Sequence, residues 1–187
     1  MNMRMAVCCL LLTLAATGTA IAADPPKPTF ATALDRDLTG VEREVVPAAE
    51  AMPEDKFGFA PTQGEFKGVR TYAEQLKHIG AVSYIVGAVI LAEKPPAEAG
   101  AGEAGPAAVK SKAEIVKYLK DSFAYAHEAL NSITEANILA PIESPWGPGR
   151  TTRLNMAVEL VSHPFDHYGQ MVEYLRMHGI IPPASRK

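Results

Sequence analysis

The sequence predicts an all-α protein built as a four-helix bundle. Three observations carry that expectation. Four stretches place apolar residues every three or four positions, glycine- and proline-rich segments separate them, and no useful length of chain alternates with period two. Four amphipathic faces bury most simply against one another. At 187 residues the chain has the size of one domain.

The first 23 residues stand apart from that bundle. MNMRMAVCCLLLTLAATGTAIAA carries Arg4, an apolar run from Ala6 to Ala16, and small residues around Ala20-Ile21-Ala22 before Asp24. This is the pattern of a secretory signal peptide, and it predicts an exported protein, periplasmic or extracellular. A membrane anchor is the alternative, but the run is shorter than the roughly 20 apolar residues that span a bilayer, so no stable membrane span is expected after cleavage. Cys8 and Cys9 lie inside the run and leave with it, so the mature chain has neither a disulfide nor a thiol nucleophile. About 165 residues remain, enough for an ordinary hydrophobic core. Losing Arg4 takes the net charge from −3 to −4, which gives no electrostatic reason to expect nucleic acid as a partner.

Residues 24–28, DPPKP, form an extended lead-in. The first helix follows from Thr29, with Phe30, Leu34, Leu38, Val41, Val45 and Met52 as its apolar stripe. Pro47 is expected to bend or end it. Gly58, Pro61, Gly64 and Gly68 mark a loop. The second helix begins near Val69 or Thr71, where Thr71 and Glu74 have capping-box spacing. Its core face is Tyr72, Leu76, Ile79, Val82, Val86, Val89 and Ile90. EKPPAEAGAGEAGPAAVK then has no periodicity and reads as a flexible surface connection, long enough to cross the end of the bundle. Ser111 and Glu114 open a third helix in the same way as Thr71 and Glu74 open the second. It buries Ile115, Leu119, Phe123, Ala126, Leu130 and Ile133. ILAPIESPWGPGRTT is the next loop. The fourth helix runs from about Thr152 to His178, with Leu154, Val158, Val161, Phe165, Val172 and Leu175 inward. Gly179 stops it and Pro182-Pro183 bars its continuation.

The chemistry concentrates in the histidines: His78, His127, His163, His167 and His178. His163 and His167 in HPFDHYGQ are one helical turn apart on one face, so two imidazoles can converge on one ion. Taken alone, such a pair is more often an exposed polar strip. Three features favour metal. Both histidines border apolar residues, where a buried imidazole needs a partner. His78, in EQLKHIGAV, borders a core face on another helix. Pro164 interrupts the helical bonding between the pair, and such local violations cluster at functional sites; the plainer reading is that it re-aims the helix. Glu74 and Glu159 each lie one turn before a histidine, as candidates to orient an imidazole or act as general base, although a solvated carboxylate is an equal reading. His127 reads as structural or exposed, and His178 as a dipole-favoured residue in a last helical turn. Trp146 either closes one end of the bundle or lines an entrance with Arg150 or Arg153.

EQLKHIGAV together with HPFDHYGQMVEYLRMHGIIPPAS resembles the DinB/YfiT-like superfamily. The pattern of four helices over 29–183 fits, leaving 184–187 as a tail. The resemblance implies a DinB-like four-helix bundle, often a homodimer, with one divalent metal ion held by His78, His163 and His167. Imidazoles suit zinc, nickel, iron or copper alike, and the expected ion is zinc or nickel first, with iron or another metal also open. Family members include thiol-dependent transferases, isomerases and proteins described as metal-dependent hydrolases. The expectation is therefore a metal-dependent hydrolase or thiol-type group transferase acting on a small molecule in the cell envelope. The alternative is a non-catalytic metal-binding or stress-related bundle. Export weakens the thiol-transfer reading, because low-molecular-weight thiols belong to the cytoplasm.

Overall fold

A computed structural model describes residues 27–187. The signal-peptide assignment, 1–23, and most of the lead-in, 24–28, lie outside the described residues. Four helices make the bundle: α1 (Phe30–Ala51), α2 (Tyr72–Leu91), α3 (Lys112–Asn131) and α4 (Arg153–Met177). Among the described residues, no helix is long and apolar enough to cross a membrane.

The helix starts follow from local chemistry. Thr71 accepts a bond from the Glu74 amide while Glu74 reaches back to the Thr71 amide, and Ser111 and Glu114 do the same at α3. Thr29 and Thr32 close a third such box at α1. Each satisfies amides that have no partner within the helix. Two helix ends are closed from a neighbour. Lys112 Nζ donates to the carbonyls of Glu50 and Met52, both at 2.7 Å, and Arg153 Nε donates to the Ile90 carbonyl at 2.9 Å. A cation there also meets the negative end of the helix dipole.

Helices α1 and α2 each pack against both α3 and α4, so α1 faces α2, and α3 faces α4, across the diagonals. The α1–α2 and α3–α4 connections therefore cross the bundle. The middle connection, long enough to cross it, joins neighbours. That segment also packs closely: Ala99 is buried, and a Cβ on Gly105 would lie 3.1 Å from the Lys77 carbonyl. Where α2 meets α3, Gly80 lies under the ring of Tyr118 and Gly87 under that of Tyr125.

Three sequence expectations need correction. Pro47 does not end α1, which runs on to Ala51. The lost bond is offset by burial, since Ala48 and Ala49 beyond it are fully buried. The loop before α4 contains a small antiparallel hairpin, β1 (Pro141–Glu143) with β2 (Arg150–Thr152).

The inward face of α4 is the third. The buried residues are Met156, Ala157, Leu160, Pro164, His167, Tyr168, Met171, Tyr174 and Leu175. Val158 and Phe165, expected inward, are about half exposed, as is Phe30 on α1. Helix α4 carries apolar residues on two faces, and the one that packs includes a proline and a histidine.

Candidate metal centre

His78 lies in the middle of α2, and His163 and His167 lie on α4, the helix packed against it. The rings meet in the space between the two helices. His78 Nε2 is 3.0 Å from His163 Nε2, which is 3.1 Å from His167 Nε2. The three ligand atoms all lie within 4.8 Å of one another. Two nitrogens bound to one zinc ion at about 2.0–2.1 Å are separated by about 3.0–3.4 Å, so the spacing fits a shared ion.

The donor set fits as well. The Nδ1 atom of His78 lies 2.9 Å from the Glu103 carbonyl, which can only accept, so Nδ1 carries the proton and Nε2 presents its lone pair to the other rings. Burial favours the neutral form of all three rings, and the neighbouring histidines add to it at His163 and His167. Burial first, then His167, His78 and Arg70, pushes His163 down to about 3. Burial first, then His78 and Arg70, against an opposing Asp166, pushes His167 down to about 4. Burial also lowers His78, against the upward pull of the Glu103 carbonyl. Neutral imidazoles whose Nε2 atoms converge suit a divalent ion.

The triad opens onto a cleft of about 330 Å³ lined by Arg70, Val82, Glu103, Trp146 and Glu159 besides the three histidines. Glu159 lies on the wall one turn before His163, but it makes no hydrogen bond to His163 Nδ1, which is buried without a partner. Glu74 is placed elsewhere: its carboxylate accepts from the Thr71 amide at 2.7 Å and hydroxyl at 2.9 Å, as a helix cap. Trp146 lines the cleft, whereas Arg153 is bound to Ile90 and Arg150 donates to the Pro141 carbonyl.

The other two histidines serve packing. His127 lies between Asp35 (2.7 Å) and Glu42 (3.2 Å), tying α3 to α1. His178 packs edge-on against Phe59. Sequence reasoning missed Arg70 and Glu103. Arg70 stands immediately before the α2 cap, two turns from His78, a spacing that offered a signal. Glu103 had none, since it arrives from an aperiodic segment.

No curated protein matches the chain. A model of the DinB superfamily matches residues 37–171, a span that holds all three histidines and runs from α1 into α4. The four-helix bundle and the triad between its second and fourth helices agree with that match, and the chain belongs to the DinB superfamily.

Proposed function

We propose that this protein binds one divalent metal ion through His78, His163 and His167 and uses it to act on a small molecule in the cell envelope, as a hydrolase or, second, a thiol-type group transferase. The observation that carries the reading is the convergence of three neutral imidazoles on an open cleft with a carboxylate on its wall. Three protein ligands leave coordination positions free, as in catalytic rather than structural sites. A bound ion there would lower the pKa of a water molecule and polarise a carbonyl or phosphoryl oxygen.

The chain's own groups supply the rest. Glu159 accepts or returns a proton at the wall, Arg70 offers a guanidinium to an anionic part of the substrate, and Trp146 and Val82 give apolar contact. The apolar run Ala6–Ala16 and the small residues before Asp24 support export, and export favours hydrolysis over thiol transfer.

The test is turnover of a panel of small esters, amides and phosphoesters, and of thiol-transfer substrates. A chelator should abolish activity and added zinc or nickel restore it. Glu159→Gln should lower kcat at unchanged metal content. A metal-loaded protein that turns over nothing in the panel, and whose ion exchanges no water, would support the non-catalytic alternative.

A further inference from the structure

A histidine that binds metal through Nε2 must carry its proton on Nδ1, and the group facing Nδ1 decides how readily it does so. For His78 that group is the Glu103 carbonyl. For His167 it is a side chain. Gln170, one turn on along α4, places its amide nitrogen 3.5 Å from His167 Nδ1. The other end of the same amide is held from α2: Gln75 Nε2 donates to Gln170 Oε1 at 2.8 Å. Gln75 is almost wholly buried, and its own Oε1 has no partner. A buried glutamine is uncommon and is retained where its bonds matter.

The direction of this chain opposes metal binding. With the Gln170 NH₂ facing it, His167 Nδ1 is an acceptor, and the ring proton sits on Nε2, pointing at His163 Nε2. No lone pair is then left for an ion. A half-turn of an amide exchanges its oxygen and nitrogen with almost no change in shape. If both amides turn, His167 Nδ1–H donates to Gln170 Oε1, and Gln170 Nε2–H donates to Gln75 Oε1. The two bonds of the chain are kept and reversed in direction, while the bond from Gln170 Nε2 to Asp166 is lost. The unpaired end of Gln75 remains in either setting, so it does not bias the choice.

We infer that Gln170, braced by the buried Gln75, is the positioning residue that sets the tautomer of His167, and that metal loading reverses the Gln75–Gln170–His167 hydrogen-bond chain. The inference rests on the metal reading above. On loading, the ring stays neutral. Its Nε2 proton is released to solvent, one proton is taken up at Nδ1, and the Nε2 lone pair becomes available. Asp166, whose carboxylate lies 3.3 Å from Gln170 Nε2, favours the unreversed setting and must swing away in the reversed one. It is exposed and free to do so.

The test is zinc affinity, measured at pH 7.5 by competition with a chromophoric chelator, alongside ¹⁵N NMR of the His167 ring. Gln170→Met removes the acceptor and should weaken zinc binding about 10- to 100-fold. Gln170→Glu, which accepts from His167 and from Gln75 without any reversal, should bind zinc at least as tightly as the wild type. The ring should show Nε2–H in the metal-free wild type and Nδ1–H with zinc. Metal-free melting temperatures near the wild-type value establish that both variants fold. Wild-type affinity in Gln170→Met, or equal weakening by Met and Glu, overturns the inference while zinc binding by the wild type still upholds the metal reading. A wild type that binds no zinc overturns both.

Discussion

The three histidines pay for their convergence in protonation. Their depressed values mean that the folded chain holds neutral imidazoles, while an unfolded histidine titrates near 6.5. Well above 6.5 neither state takes up protons at these rings, and they contribute no pH dependence. As pH falls from there towards 3–4, the unfolded chain gains protons that the folded chain refuses, so stability falls. Metal-free melting temperatures should therefore drop between pH 6.5 and 4.5, and His163→Leu should flatten the drop. An unchanged slope in that variant would contradict the burial argument. The same values mean that protons compete weakly for the ligands. Bound metal should be retained well below pH 6.5, and dialysis at stepped pH followed by metal analysis reads this directly. At the scale of residues, His163 and His167 were legible because histidines at i,i+4 share a helix face whatever the fold, and His78 through its place on a core face and the resemblance. The tautomer-setting groups were not, since Glu103 and Gln75 act through contacts that only the assembled bundle creates.

Among the elements, α4 shows why periodicity alone misassigned a face. Leu154, Val158, Val161 and Phe165 make a clean apolar stripe, yet Val158 and Phe165 are half exposed. The face that packs runs through Ala157, Leu160, Pro164, His167 and Met171, where a ranking by side-chain hydropathy sees a weaker signal. Leu160→Ala should cost about 2–5 kcal/mol. Val158→Ser should change stability by less than about 0.5 kcal/mol. Urea denaturation of the two variants checks the assignment, and equal losses would contradict it. Glycines make a second contrast. A Cβ on Gly80 would lie 2.5 Å from the Tyr118 ring, whose burial leaves it little room, so Gly80→Ala should destabilise by about 1–3 kcal/mol. Gly40, inside α1, has nothing within 4 Å, and Gly40→Ala should stabilise by about 0.5–1 kcal/mol. The capping boxes at α2 and α3 were legible because their chemistry is local.

Across the whole molecule, four helices and their order were legible, but the diagonal connections were not. Loop composition reports flexibility and not which helices become neighbours. The segment between α2 and α3 illustrates the gap. Its glycines and prolines suggested a loose surface connection, yet it delivers the carbonyl that orients His78. Gly105 lets it lie close, at a φ of +68°, against Lys77 and Tyr118. Gly105→Val should displace the segment and weaken zinc binding about tenfold without altering any ligand. A zinc affinity equal to that of the wild type would mean that the Glu103 carbonyl does not matter to His78.

The proposed metal site requires one ion held jointly by α2 and α4. The direct measurement is metal content per chain for the wild type and for His78→Ala, each exposed to zinc and freed of excess. About one ion per wild-type chain is expected, and loss of most of it in the variant, although His163 and His167 remain intact. Full stoichiometry and unchanged affinity in His78→Ala would contradict it.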